Sequence, residues 1–540
     1  MSEQVNSRAG EEDPRVGSPY AKYVLAVLVL VYIFNFIDRQ ILSILAESIK
    51  ADLGITDAQI GFLYGTAFAV FYAIFGIPLG RLADTWTRKS LISVGLFFWS
   101  IATALSGTAR GFGSLASYRI GVGIGEASAT PAAFSMLSDY FSPRLRTTAL
   151  AVYSSGVYIG AGIGIFLGGV ILDSWNHMYP DPATSPMHLQ GWHVAFFAVG
   201  LPGILMSLWV WTLREPPRGL SDGYITPPHP HPFKETWRSV ASIIPPLNLG
   251  SLVANGGGVK GVTINLVAGA AIAVLAWLLI KVTGTPAQWI ALGIGVYASF
   301  SWAQNLAISD YATFAMIFKS RTVLLTVIGF PSIAFTTYGL GFWGAPFFQR
   351  VHGVSAAETG TVLGLTAAVA GWAGVTLGGV LADKLRQKYH LGKLYVGMAS
   401  ALLSIPSAIG LLLVKDVHLA YVLNFMFSLT SPMWIGPAAS TVNDLVMPRM
   451  RAIVSAFYLL MVTFIGLALG PYTIGFISDR IHSGGASSAE ALRDGMLCGV
   501  AMLVVALIAL LLAARHLKED EDSRIDRARS LGEALPPGTA

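Results

Sequence analysis

Gly80-Arg81-Leu82-Ala83-Asp84-Thr85-Trp86-Thr87-Arg88-Lys89 closes one apolar run and opens the next. Its core, Gly-x-x-x-Asp at the end of an apolar run, recurs as Gly169–Asp173, Gly379–Asp383 and Gly475–Asp479. The runs that end this way are long enough for helices that cross a membrane, which takes about 20 apolar residues. Fourteen such windows can be read along the chain. Six come early, at roughly 21–46, 59–81, 90–109, 113–140, 147–172 and 192–213. Six come late, at roughly 322–348, 357–382, 393–413, 418–446, 451–478 and 493–514. Two lie between them, at 262–281 and 287–306. Leaving the middle pair aside, the motif ends spans 2, 5, 8 and 11, on alternate faces. Inverted three-helix repeats nested in two six-helix halves produce that pattern. The glycine lets helices approach, and the carboxylate accepts hydrogen bonds from a neighbouring helix N-terminus or from an arginine. Such a contact is a latch that breaks when the halves rock.

The composition agrees with a polytopic all-α membrane protein. Of 540 residues, 54% are hydrophobic and 12% charged, against about 25% charged in soluble chains. The 28 Phe, 19 Tyr and 13 Trp demand burial, which excludes a disordered chain. The single cysteine, Cys498, excludes an intramolecular disulfide framework and any cysteine-based metal centre. No Walker loop, catalytic triad or zinc signature is present, so ATP-driven pumping and hydrolysis have no support. A lipid-acting membrane enzyme would need a nucleophile or metal ligands at one interface, and none is found. No cofactor or metal is expected.

Orientation follows from Lys and Arg placement. With the N terminus inside and fourteen spans, 26 of the 35 basic residues fall on inner segments and seven on outer ones. The net charge is +5, and the basic residues gather at inner rims, where they fit topology and lipid phosphates rather than nucleic acid. The expected organisation is an N-terminal cytoplasmic tail (1–20), a six-helix bundle (21–213) and a Pro-rich cytoplasmic linker (214–261). An inserted hairpin (262–306), a short linker (307–321), a second bundle (322–514) and a charged, water-facing cytoplasmic tail (515–540) follow. Both termini are expected in the cytoplasm, and the chain is expected to be a monomer. His229 and His231 read as solvated linker residues. Gly121, Gly123 and Gly125 lie mid-span with no strand before them, so they read as helix-packing glycines and not a dinucleotide loop.

The two basic residues left over, Arg39 and Arg119, lie inside apolar windows with Asp38 and Glu126. Ionisable groups in hydrocarbon cost roughly 2.5–3.5 kcal/mol each on insertion scales and imply function. At 1.5 Å per residue, Asp38 sits about 12 Å and Arg119 about 9 Å below the outer face, so they share a depth. Glu126 follows Arg119 by two turns on the same face. Spans 1 and 4 are therefore expected to face each other across a cavity. There Arg119 neutralises Asp38 or grips an anionic head group, and an Arg fork suits phosphate or carboxylate. Arg39 is read as a second substrate contact, with snorkelling to the interface as its structural alternative. Glu126, among Gly123, Gly125 and Ala127, is the first candidate proton carrier, and Asp38 the second. The second half offers no mid-membrane charge. Its cavity helices carry Tyr338, Trp343, Asn424, Ser431 and Trp434, with Asn443 and Asp444 toward the inner end. A charged half facing an aromatic one suits an amphiphile with a small anionic head.

The stretch from Gly80 to Lys89 resembles the loop between helices 2 and 3 of the major facilitator superfamily, with Thr85 and Thr87 departing from its basic residue and glycine. Gly379-Val-Leu-Ala-Asp383-Lys384-Leu-Arg386 resembles its copy in the second half. The resemblance covers roughly residues 21–213 and 322–514; the pair at 262–306 lies outside the usual twelve-helix plan. It implies that Asp84, Arg88, Asp383 and Arg386 lock the cytoplasmic gate. Three stretches are similar to the spinster-like lipid transporters: Asn35-Phe-Ile-Asp38-Arg39, Arg119-Ile-Gly-Val-Gly-Ile-Gly125-Glu126-Ala127-Ser128, and Gly470-Pro-Tyr-Thr-Ile-Gly475-Phe-Ile-Ser-Asp479. They imply a substrate site that includes Asn35. The glycines at 156, 160, 164 and 168 partly resemble the antiporter motif of drug exporters, but Ile165 stands where proline is expected. Together these similarities imply a secondary active transporter in a bacterial inner membrane, moving a lysophospholipid, sphingoid phosphate or similar amphiphilic anion with protons by alternating access. The alternative is a facilitator for a soluble organic anion or drug. A channel is disfavoured by the paired charges and duplicated gate motifs.

Overall fold

A computed structural model describes residues 15–222, 225 and 229–533, and no β-strand forms among them. The first half comprises α1 (Pro19–Leu53), α2 (Asp57–Tyr64), α3 (Thr66–Thr85), α4 (Arg88–Ser106), α5 (Phe112–Glu126), α6 (Ala129–Tyr140), α7 (Pro143–Met178) and α8 (Gly191–Trp211). Between the halves run α9 (Pro232–Ala241), α10 (Leu247–Ala254), α11 (Gly258–Thr283), α12 (Pro286–Ser309) and α13 (Tyr311–Phe318). The second half holds α14 (Arg321–His352), α15 (Ala356–Thr366), α16 (Trp372–Lys388), α17 (Gly392–Leu413), α18 (Val417–Thr430), α19 (Ile435–Asp444), α20 (Arg451–Met461), α21 (Leu469–Ser483), α22 (Ser488–Val500), α23 (Met502–Asp522) and α24 (Arg524–Ser530).

Local chemistry sets these boundaries. Ser18 caps α1 by accepting from the Ala21 N–H at 3.1 Å, and Pro19 supplies a fixed φ at the first turn. The helix stops at Gly54, whose φ of +62° suits a residue without Cβ. Thr56 and Gln59 then cap α2 reciprocally. Helix α7 lies against α1 because glycine recurs every fourth residue. A Cβ at Gly160 would stand 2.5 Å from the Ile33 carbonyl oxygen, and one at Gly164 would stand 2.8 Å from that of Ile37. The run therefore serves close packing, as its spacing implies.

We call the end where α1 begins and α23 finishes the near end, and the other the far end. At the far end the halves are joined. The Asp57 and Ala58 N–H groups, at the start of α2, donate to Asp479 at 3.0 and 2.8 Å. The Ala357 N–H, at the start of α15, donates to Asp173 at 2.6 Å. Arg350 clamps Asp57 with two hydrogen bonds of 2.6 and 2.8 Å and pairs with Glu47 at 2.7 Å, while Lys50 reaches Asp57 at 2.6 Å. At the near end no hydrogen bond or ion pair between described residues joins the halves.

Eleven described helices are long and apolar enough to cross a membrane. The segments Phe112–Tyr140, Pro286–Ser309 and Val417–Asp444, read as spans from sequence, do not reach that measure. The first breaks around Ala127 and Ser128, and the third carries a 3-10 turn at Ser431–Trp434. The second is diluted by Gln288, Ser299, Ser301, Gln304 and Asn305. Two segments outside the bundles are more ordered than their composition implies. The linker expected over 214–261 contains α9 and α10. Asn248 of α10 donates to Asn265 at 3.1 Å and to Ser301 at 2.8 Å, which ties the segment to the hairpin. The tail expected to be wholly water-facing also folds back as α23 and α24. Arg386 pairs with Glu521 at 2.8 Å, Arg449 pairs with Glu533, and Ala528 is fully buried. Residues 1–14 of the expected N-terminal tail and 534–540 of the C-terminal tail lie outside the described residues.

Because α1 and α7 touch at backbone distance, Gly160→Ala should destabilise the protein by about 1–3 kcal/mol, the usual cost of overpacking. Gly76→Ala, which faces open space, should be near neutral. Unfolding of the purified protein in graded denaturing detergent measures both.

Candidate functional site

Consecutive residues on a helix point about 100° apart, so Asp38 and Arg39 on α1 reach different partners. Arg119 on α5 donates from Nη1 to Asp38 Oδ1 at 3.1 Å, and the Thr103 hydroxyl on α4 donates to the other carboxylate oxygen. Arg39 donates from Nε to Glu126 Oε2 at 2.7 Å. The pairs are crossed: the acid of α1 meets the base of α5, and the base of α1 meets the acid of α5. Arg119 and Glu126 are seven residues apart, roughly 10 Å along α5, and the long Arg39 side chain covers that distance. Close helix packing holds the arrangement. A Cβ at Gly123 would stand 2.5 Å from the Phe68 carbonyl oxygen, and one at Gly125 would stand 2.9 Å from Trp99.

The two pairs differ in access. Asp38 and Arg119 are sealed, with side chains 2% and 1% exposed, whereas Arg39 is 18% exposed and forms the open edge of the site. Its guanidinium lies 4.3 Å from the centre of the Phe68 ring, 4.8 Å from Tyr72 and 4.9 Å from Phe36. An aromatic cage of this kind holds a cation while leaving its in-plane N–H groups to anions. Three buried polar atoms lack a protein partner: Glu126 Oε1, Arg119 Nε and Asn35 Oδ1. The site therefore retains hydrogen-bonding capacity for a ligand or water.

The second half contributes unevenly. Tyr338 is half-buried, and Thr337 and Ser431 share a hydrogen bond of 2.6 Å. Trp343 and Trp434, expected to line the cavity, are buried instead. Trp343 is fully enclosed and donates to the Pro471 carbonyl at 2.8 Å in the seam between α14 and α21. Trp434 packs 6.3 Å from Phe330 inside its own half. In this conformation both rings are enclosed by protein; Trp343 presses on Gly475, and the Trp434 Nε1 has no hydrogen-bond partner.

Of the expected gate residues, Asp84 and Asp383 are exposed. Arg88 is buried and pairs with Asp139 of its own half and with Glu215 at the start of the linker, while Arg386 pairs with Glu521. Gly80 and Gly379 face open space, whereas Gly169 and Gly475 are pressed against the opposite half. Cβ atoms at the latter two would stand 2.2 Å from the Ala356 carbonyl oxygen and 2.3 Å from that of Asp57. Sequence reasoning missed Thr103 and the Arg350–Asp57–Glu47 cluster. Arg350 offered a signal, as a lone basic residue closing a long apolar run.

Long apolar helices in two halves, joined at one end and carrying charge pairs within the bundle, define an integral membrane transporter. The Major Facilitator Superfamily model matches residues 28–471, and the chain belongs to that family. It is 26% identical over 507 residues to an MFS-type efflux pump of Mycolicibacterium smegmatis, covering 94% of this chain and 95% of that protein. It is 25% identical over 531 residues to the sphingosine-1-phosphate transporter SPNS2 of Danio rerio, covering 94% and 86%. A crystal structure of a bacterial homolog of the human lysosomal transporter spinster, inward-facing and unoccupied, aligns with a TM-score of 0.69 and 27% identity over 93% of this chain and 98% of that one. The spinster-like resemblance thus holds, and the chain is a transporter rather than an enzyme.

Removing one member of a buried ion pair strands the other, at about 3–5 kcal/mol. Arg119→Leu should therefore destabilise the protein by that amount, and Asp38→Asn added to it should restore most of the loss. The same unfolding assay reads the cycle; additive losses would contradict the pairing.

Proposed function

We propose that the protein is a proton-coupled transporter of an amphiphilic anion with a small phosphate or carboxylate head and an apolar tail. The observation that carries this reading is the crossed pairing, with Arg39 alone at the open edge and its partner Glu126 buried behind it. An anionic head that enters from the open end competes with Glu126 for Arg39. Once Arg39 turns to the substrate, a carboxylate in apolar surroundings loses its counter-charge, and protonation is the low-cost response. Substrate and proton therefore bind together and cross together. Asp38, held by Arg119 and Thr103, keeps the second guanidinium in place and is the secondary proton carrier. Tyr338 and the polar groups of Thr337 and Ser431 face the tail and glycerol-like portion from the other half.

The near end is the cytoplasmic face in this reading, from the Lys and Arg distribution. All fourteen segments cross the membrane, α11 and α12 included, and both termini lie inside. Likeness to spinster proteins favours a lysophospholipid or sphingoid phosphate. Likeness to an efflux pump over nearly its whole length supports the second reading, export of an anionic drug-like molecule.

In proteoliposomes, substrate binding should tighten as pH falls, because the bound state carries one more proton. Glu126→Gln should leave binding largely intact, remove its pH dependence and abolish pH-driven accumulation. Accumulation equal to that of the parent would remove Glu126 from coupling.

The four Gly-x-x-x-Asp copies support a gate cycle. The far pair is engaged here, so in the opposite state Asp84 would accept from the N-terminus of α20 and Asp383 from that of α7. Gly80→Leu and Gly379→Leu should then leave substrate binding from the near side intact while stopping turnover. Counterflow against equilibrium binding separates the two effects, and undiminished counterflow would count against the cycle.

A further inference from the structure

We infer that the insert from α9 to α12 is a diagonal strap: it travels with the first half, and its tip is a further latch that holds the far end closed by gripping α21. The insert moves as one unit because buried amides tie its parts together. Asn248 of α10 bonds Asn265 of α11 and Ser301 of α12, while Asn305 of α12 accepts from Asn255 at 3.1 Å and donates to the Ser242 carbonyl at 3.4 Å. In apolar surroundings no water replaces such bonds. That unit lies along α3. At the near end the Phe233 ring of α9 stands 5.3 Å from Trp86, just past the end of α3. Further along, Ile243, Leu292 and Ala298 pack with Val70 and Ile74. Asp310, between α12 and α13, pairs with Arg449 of the second half and marks where the strap ends.

At the tip the contacts cross to the second half. The Thr285 and Tyr472 hydroxyls bond each other at 2.5 Å, Arg480 donates to the Val282 carbonyl at 2.8 Å, and the Trp289 ring meets that of Tyr472 edge-on at 5.8 Å. Tyr472 and Arg480 belong to α21, the helix that also carries the latch residue Asp479. The Thr66 hydroxyl of α3 stands 2.7 Å from Gln288 Oε1 and 2.9 Å from the Ala468 carbonyl oxygen of the second half, with one proton for the two. Separation from Ala468 leaves that proton to Gln288, so the strap keeps its hold on α3. Lever arm decides the rest. Gly295, pressed on both halves, lies midway along α12, and Thr285 is about 15 Å further toward the far end at 1.5 Å per residue. Rocking about mid-depth moves the tip most and the Gly295 contact least. The tip contacts therefore part while the contacts with α3 persist, and the strap favours the state that is closed at the far end. The inference rests on the rocking of the halves proposed above, and not on the substrate or the proton.

Three spin-label positions test it, with the full chain in lipid nanodiscs and Cys498→Ser throughout. They are Lys281 at the tip, Asp181 in the first half and Lys415 in the second, labelled in pairs on introduced cysteines. Gly169→Leu with Gly475→Leu, where a side chain has no room against the opposite half, forces the far end apart. The Asp181–Lys415 and Lys281–Lys415 distances should then lengthen while Lys281–Asp181 stays the same. A lengthened Lys281–Asp181 distance, or an unchanged Lys281–Lys415 one, would overturn the strap; an Asp181–Lys415 distance that does not move would overturn the rocking itself. Without that wedge, Tyr472→Phe with Arg480→Leu removes the tip hydrogen bonds and keeps the ring. The ratio of long to short Asp181–Lys415 distances should rise about fivefold or more, the factor that one net hydrogen bond contributes. An unchanged ratio would overturn the latch.

Discussion

Two carboxylates and two guanidiniums inside an apolar bundle are tolerable only as pairs, and the crossed pairing of α1 with α5 is the constraint on which the site depends. Had the two acids shared one helix and the two bases the other, like charges would crowd each helix. The crossed arrangement neutralises each helix along its own length and each contact across the pair. It also fixes the rotation of α1, because only one face presents Asp38 to Arg119 while Arg39 turns toward Glu126. That rotation in turn fixes which residues of α1 meet the glycines of α7.

Within this frame the pairs are unequal, and the inequality has a mechanical meaning. Asp38 accepts from two donors, Arg119 on one oxygen and Thr103 on the other, and has almost no exposure. Glu126 has one, with its second oxygen unpartnered. A weakly held partner at an open edge is exchanged more readily than a strongly held one in a sealed wall. The far-end latches sit on a similar energy scale. A carboxylate at a helix N-terminus contributes about 0.3–1 kcal/mol, up to about 2 when partly buried. Moving one charge through 100 mV supplies about 2.3 kcal/mol. Latches of this strength hold a state yet yield to a driving force of that size, whereas a continuous apolar interface would not.

The architecture was legible because its determinants are local and repeated. Run length gives the helices, and four copies of one motif give the symmetry. Depth arithmetic along α1 and α5 was enough to bring Asp38 and Arg119 together. The partner of Arg39 was not legible, because a long flexible side chain can reach several neighbours and sequence separation does not rank them. Thr103 was hidden for a different reason: an apolar helix contains many hydroxyls that simply bond the preceding turn, and the Thr103 hydroxyl likewise stands 2.9 Å from the Trp99 carbonyl oxygen. The burial of Trp343 and Trp434 was not legible either, because ring size predicts burial equally well against a ligand or against a helix. The order of the linker and tail was missed because Pro-rich and charged composition says nothing of long-range partners such as Asn265 for Asn248 or Arg449 for Glu533.

The hairpin bears on how the halves can move. Its Leu292 and Ala298 share a small apolar cluster with Val70 and Ile74 of α3, Ile243 of the linker and Phe464 of the second half. A Cβ at Gly295 would stand 2.9 Å from both Val70 and Phe464, so the hairpin is wedged against the seam at side-chain distance. Phe464 belongs to a π-helical stretch, Val462–Ala468, and a second such stretch, Ala367–Gly371, interrupts the helix that faces α7. Wide turns of this kind loosen the hydrogen-bond ladder and are where helices bend. Both therefore lie on the seam helices of the second half, where bending changes the gap to the first. One of them carries the hairpin. Bending at Val462–Ala468 must then shift α12 or slide past it, which makes the inserted pair part of the moving contact and not a passive attachment to the bundle.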